Sequence, residues 1–86
     1  MRAELILEYA ARVSIPSSGE TYRVQTFGRA RPDGMWEGWL EFHPVDRPGP
    51  VLRTDRETTQ ANREALVYWA TGLEPIYREG ALSRAT

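Results

Sequence analysis

Residues 22–43 read YRVQTFGRARPDGMWEGWLEFH, and the way this stretch folds back on itself decides the fold. Two runs of alternating side chains, 22–31 and 35–43, flank Pro32-Asp33-Gly34. Period-two alternation on both sides of a turn signal predicts a β-hairpin. A three-residue loop ending in glycine suits a type I turn with Gly34 in the left-handed region. The two faces test the register. A two-residue loop at Asp33-Gly34 would pair Val24 with His43 and Gln25 with Phe42, mixing apolar and polar partners. The three-residue loop instead pairs Val24 with Phe42, Thr26 with Leu40, Gly28 with Gly38 and Ala30 with Trp36. Its other face then pairs Gln25 with Glu41, Phe27 with Trp39 and Arg29 with Glu37. One face becomes apolar and the other sets arginine opposite glutamate. A one-residue slip destroys both patterns, so the three-residue loop is expected.

Outward from the hairpin, residues 4–15 alternate as well, with Leu5, Leu7, Tyr9, Ala11, Val13 and Ile15 on one parity. A helix competes, because Glu4, Glu8 and Arg12 are spaced four apart. The β-branched Val13 and Ile15 before Pro16 favour a strand. Pro16-Ser17-Ser18-Gly19 is a turn, and Asp46 to Pro50 is a breaker-rich loop. Val51 to Thr54 reads as a short fourth strand. Thr54-Asp55-Arg56-Glu57 has capping-box spacing, with Thr59 as a later cap. Leu66, Trp69, Ala70 and Leu73 follow at helical spacing, so a helix is predicted over about 58–71, stopped by a left-handed Gly72. Pro75 opens a shorter helix over about 74–84. The expected fold is α+β: an antiparallel three- to four-stranded meander with one or two C-terminal helices on one face. Trp36, Leu40, Phe42, Leu66, Trp69 and Leu73 are the expected core.

Length and composition bound the function. A chain of 86 residues reads as one small domain. It buries only roughly 60 to 65% of the surface its unfolded chain exposes, which leaves little core for an elaborate active site. There is no cysteine and one histidine, His43, so neither a disulfide nor a Cys- or multi-His metal site can form within the chain. No metal or cofactor is expected. The net charge of −1 does not resemble a typical nucleic-acid binder. All basic residues are arginine. That fits a GC-rich genome or selection for bidentate anion contacts. Glu4 and Glu8 interrupt the N-terminal apolar run, and no stretch approaches a membrane span. A cytoplasmic protein is expected.

The segments RPDGMWEGWLEF (31–42), LRTDRETTQ (52–60) and YWATGLEPIY (68–77) resemble a family of short bacterial proteins with no assigned activity. The likeness runs over most of the chain and implies no catalytic role. The run from Arg56 to Leu66, coming after strands, also resembles HicB-type antitoxins, which place a threonine-led helix after a β-meander. The aspartate-proline-glycine signature of that family is absent, and no DNA-binding segment follows. That likeness implies an antitoxin-like or RNA-associated regulator on the same scaffold.

Three sites are candidates. The outward sheet face would carry Arg23, Gln25, Phe27, Arg29 and Arg31 beside Met35, Glu37, Trp39, Glu41 and His43. Of these, Phe27, Arg29, Arg31, Met35, Glu37, Trp39 and Glu41 form an aromatic centre with a charged rim. That is the composition of a protein-binding hot spot, for a partner or a second copy, and equally of a solvated cross-strand ladder. RNA could stack on the same rings, though Glu37 and Glu41 would repel phosphate. The second candidate is an anion site at the predicted helix start, using Arg53, Arg56, Thr58 and Thr59. Plain capping explains the same residues. The third, acid–base chemistry by His43 with Glu41, lacks a cleft and a positioning group in the sequence. Trp36 and Trp69 read as core fillers. The sequence therefore points to a non-enzymatic protein acting through protein–protein contact, with a homo-oligomer as one form.

Overall fold

The computed structural model describes residues 2–86, and in it the 22–43 stretch is the centre of a single antiparallel sheet. In chain order the elements are β1 (Glu4–Glu8), β2 (Val13–Ser14), β3 (Thr21–Ala30), β4 (Trp36–Pro44), β5 (Leu52–Arg53), β6 (Thr58–Gln60), α1 (Arg63–Thr71) and α2 (Pro75–Leu82). The β3–β4 register is the one the face pattern demands, from Tyr22 opposite Pro44 to Ala30 opposite Trp36. Gly34 takes φ +86° and closes the loop, with Arg31 N donating to Met35 O at 2.7 Å. The sheet is four lanes wide. β1 and β2 share the lane beside β3, and β5 and β6 share the lane beside β4.

The outer lanes depart from the predicted boundaries. Residues 4–15 are not one strand. Glu4–Glu8 and Val13–Ser14 pair separately with β3, and the register shifts between Leu5 and Leu7. Ile6 is the extra residue of a bulge. Leu5 consequently lies opposite Phe27 on one face and Leu7 opposite Thr26 on the other. Ile6 also turns to the helix side, against the position a Gly28 side chain would take.

The largest correction concerns the predicted 58–71 helix. Thr58–Gln60 is a strand, with Thr58 opposite Gly38, Thr59 opposite Glu37 and Gln60 opposite Trp36. Two β-branched threonines suit extended backbone, and the edge of β4 offers them hydrogen-bonding groups that would otherwise lack a partner. The capping box at Thr54 to Glu57 does not form. Thr54 is buried, and its Oγ1 accepts from Leu40 N at 3.1 Å while its own N donates to Leu40 O at 3.0 Å. The helix starts at Asn62, whose Oδ1 accepts from Ala65 N at 2.8 Å. Gly72 is right-handed (φ −88°), not left-handed, and its N–H donates back to Tyr68 O and Trp69 O. α2 occupies 75–82, inside the predicted 74–84, with Pro75 in its first turn.

Both helices pack on one face of the sheet, and a pair of glycines seats α1 there. Gly28 and Gly38 lie opposite each other on β3 and β4, and Leu66 drops its side chain onto both. A methyl on Gly28 would run into Leu66 Cδ2, and one on Gly38 would stand 2.6 Å from Leu66 Cδ1. Leu66 is wholly buried as a result. Leu40 and Phe42 are buried as expected, with Val13, Tyr22, Val24, Ala70, Ala81 and Leu82 completing the core. Trp36, Trp69 and Leu73, expected in the core, are only half-buried. Tyr9 ties α1 to the sheet. Its hydroxyl donates to Ala70 O at 2.8 Å, which leaves the Thr26 hydroxyl to donate to Tyr9 at 2.8 Å. At the far edge, Arg53 and Thr86 exchange two backbone hydrogen bonds of 3.2 and 3.1 Å. Glu57 Oε1 accepts from Tyr77 Oη at 2.5 Å and Arg84 Nη2 at 2.7 Å, tying α2 to the β5–β6 connection.

Candidate functional site

Because α1 sits over Gly28 and Gly38, the opposite parity of β3 and β4 looks away from the helices. The pairings arrange this outward face in rows that cross the strands. Leu5, Phe27 and Trp39 form an apolar row over three strands. On one side lies Glu8, Gln25, Glu41 and Arg53. On the other lies Arg29, Glu37 and Thr59. Arg23 opposite His43 closes one end, and Arg31 with Met35 sits at the hairpin tip. The sequence-predicted residues Phe27, Arg29, Glu37, Trp39 and Glu41 therefore do meet on one surface.

Trp39 was expected to be an open anchor, and it is not. It is 2% exposed, although no helix covers it. Two guanidinium groups do. Arg53 Cζ stands 4.4 Å from the indole centre and Arg29 Cζ 5.6 Å from it. A planar cation over an aromatic face is favourable by about 0.5–1 kcal/mol at an exposed site. The indole N–H donates to Glu41 Oε2 at 2.9 Å, so the buried ring leaves no unpaired donor. Glu41 Oε1 meets His43 Nε2 at 3.1 Å, and the His43 ring stacks on Phe27 with centroids 6.3 Å apart. The accessible apolar surface has passed to Leu5, 49% exposed, and to half-buried Phe27.

The rim is held by ion pairs. Arg29 Nε donates to Glu37 Oε1 at 2.6 Å, and that bond, helped by the charges of Arg29, Arg31 and Arg56, holds the Glu37 carboxyl below the usual carboxylate range. Asp33 is also lowered, first by the Met35 backbone N–H and then by Arg31, whose Nη2 is 3.1 Å away.

The anion site predicted at Arg53, Arg56, Thr58 and Thr59 loses its basis, because no helix begins there. Arg53 lies over Trp39, and Arg56 is exposed on the loop near Glu37. Thr58 and Thr59 point to opposite sides of the sheet, and Thr58 Oγ1 accepts from Gln60 Nε2. The helix N-terminus lies beyond them and is capped by Asn62. The His43–Glu41 pair forms, but both Glu41 oxygens are already engaged. Sequence reasoning missed Leu5 and Arg53 as members of the outward face. The unbroken apolar run Leu5-Ile6-Leu7 was the signal for the bulge that turns Leu5 outward. For Arg53 there was no local signal, because its face is set by the pairing of β5 with Glu41.

Among the described residues no group of three or more His, Asp or Glu side chains is placed to hold a metal, and no helix is long and apolar enough to cross a membrane. Comparison with family models, with curated proteins and with solved structures finds no match, so the residues themselves carry the functional reading.

Proposed function

We propose that this chain is a non-enzymatic accessory protein of the bacterial cytoplasm, acting by protein–protein contact through the outward face of its sheet. The observation that carries this reading is the uncovered row of Leu5 and Phe27, bordered by arginines, on the face opposite both helices. Aromatic and arginine groups around an accessible apolar centre are what protein interfaces use. Two features weigh against the antitoxin-like or RNA-associated alternative. The threonine-led helix of the HicB-type resemblance is a strand here. Trp39, the largest ring on the face, is also capped by guanidinium groups, so it cannot take a base.

The test uses Leu5, because Trp39 is buried and replacing it would mix loss of stability with loss of binding. Light scattering on the purified protein and co-purification from its own cells are compared for wild type and Leu5→Glu. Wild type should self-associate or bring down a defined partner, and the variant should lose that species while keeping its circular dichroism. Identical masses and identical co-purifying proteins for both would remove the outward face as the interface.

A further inference from the structure

We propose that the partner surface seated on the outward face is acidic: a protein segment carrying carboxylates for Arg29, Arg53 and Arg56 and an apolar side chain for Phe27 and Leu5. This rests on the reading of that face as an interface. It follows from which charges of the face are already engaged and which are free. Glu37 is 15% exposed and bonded to Arg29, and Glu41 has both oxygens occupied by Trp39 and His43. The arginines stand above them. Arg29 is 48% exposed even while paired. Arg23, Arg53 and Arg56 are exposed, and among the described residues none has a carboxylate within 4.0 Å. The chain as a whole carries −1, yet over the β4, β5 and β6 side of the face the exposed arginines Arg29, Arg53 and Arg56 outnumber the one exposed carboxylate there, Asp55. Of the other carboxylates, Glu8 sits at the opposite margin, held by Gln25 Nε2 at 2.6 Å, Asp33 pairs with Arg31 at the hairpin tip, and Asp55 is exposed between Arg53 and Arg56, so Arg23, Arg29, Arg31, Arg53 and Arg56 still outnumber the free carboxylates.

The guanidinium groups of Arg29 and Arg53 flank one indole, which keeps them within about 10 Å of each other. Carboxylates on alternate residues of an extended segment are roughly 6.6 Å apart, and those a turn apart on a helix roughly 5–6 Å, so either form can serve both arginines at once. Each arginine is already oriented by the ring beneath it, so less rotamer freedom is lost when a carboxylate arrives. A second copy offers these arginines few free carboxylates, because its own Glu8, Glu37 and Glu41 are bonded to Gln25, Arg29, Trp39 and His43. Nucleic acid would satisfy the arginines but finds only Phe27 for stacking, and that ring already faces His43.

The experiment follows the side-chain N–H signals of Trp39, Arg29, Arg53 and Arg56 by NMR. The full chain is titrated with a synthetic Glu/Leu/Phe peptide, with the same peptide carrying Lys for Glu, and with oligouridylate. The Glu peptide should move the Trp39 and Arg53 signals saturably, and its affinity should fall about tenfold on going from low to high salt. Arg53→Glu should abolish the Trp39 shift and those of Arg29 and Arg56. Arg56→Glu, on an exposed loop where folding is not at stake, should weaken binding several-fold. Equal or better binding of the Lys peptide at the same signals overturns the acidic partner and leaves the face standing as an interface. Oligouridylate binding with neither peptide active overturns it in favour of nucleic acid. Self-association that Leu5→Glu abolishes overturns it in favour of a second copy. No shift on the face with any probe, in a chain that stays monomeric, overturns both the acidic partner and the interface.

Discussion

Replacing Gly38 by alanine tests the seat of α1 directly. The added methyl would stand 2.6 Å from Leu66 Cδ1 and 3.3 Å from Thr58 Cγ2, against about 3.5–4.0 Å for comfortable carbon contacts. Leu66 is enclosed, so relief must come from an off-rotamer side chain, at about 0.5–1.5 kcal/mol, or from lifting the helix, at about 1–3 kcal/mol. The loss of glycine's freedom in the unfolded chain returns about 0.4–1 kcal/mol. The net cost is then between about 0 and 2.5 kcal/mol, centred near 1 kcal/mol, and each kcal/mol lowers Tm by about 4–8 °C for a domain of this size. Urea unfolding followed by tryptophan fluorescence measures it, with Leu66→Ala as the second arm of a double-mutant cycle and a stabilising osmolyte present throughout. With the Leu66 side chain gone, Gly38→Ala should become neutral or mildly stabilising, giving a coupling of about 0.5–3 kcal/mol. Gly28→Ala should be the harsher change. Its methyl also meets the Glu37 carbonyl oxygen at 3.0 Å, and a backbone atom cannot rotate aside. If Gly38→Ala costs the same with and without the Leu66 side chain, the reasoning fails.

Three further outcomes are expected. Asn62→Ala should destabilise by about 1 kcal/mol in chemical denaturation, whereas Thr59→Ala stays within about 0.5 kcal/mol; the reverse ranking would restore the earlier helix start. Tyr77 is pushed up to about 12, first by burial and then by the Glu57 carboxylate. Its proton is held more tightly in the folded chain, so this stability is whole below pH 10 and is lost as pH rises through about 12. Tyr77→Phe should therefore flatten the fall of the urea midpoint across that window, and equal slopes for the two proteins would contradict the assignment. Arg53→Ala should uncover one side of Trp39, shifting its emission to the red at a cost of about 0.5–1 kcal/mol, and an unmoved spectrum would mean that Arg53 does not screen the ring.

The hairpin was legible in the sequence because three signals agreed there: alternation on both strands, a Pro-Asp-Gly turn, and a register in which both faces make chemical sense. The segment from Thr54 to Gln60 was misread because its local signals agree on the wrong answer. Thr54 and Glu57 have helix-capping spacing, and nothing nearby shows that the edge of β4 at Trp36 to Gly38 needs a partner. That demand is tertiary. The same holds for the outward face. Its residue content followed from parity, but the sealing of Trp39 depends on Arg53, which comes from a strand whose pairing no local pattern fixes. The bulge at Ile6 lay between these cases. It was written as three consecutive apolar residues, and it decides whether Leu5 looks toward the helices or away from them.

The two backbone bonds between Arg53 and Thr86 give the tail of the chain a say in the chemistry of a surface it never touches. They pin the strand from which Arg53 reaches over the indole. Cutting away residues 84–86 would free that strand on its outer side, and the first reporter to notice would be a tryptophan on the far side of the sheet, losing its cationic roof.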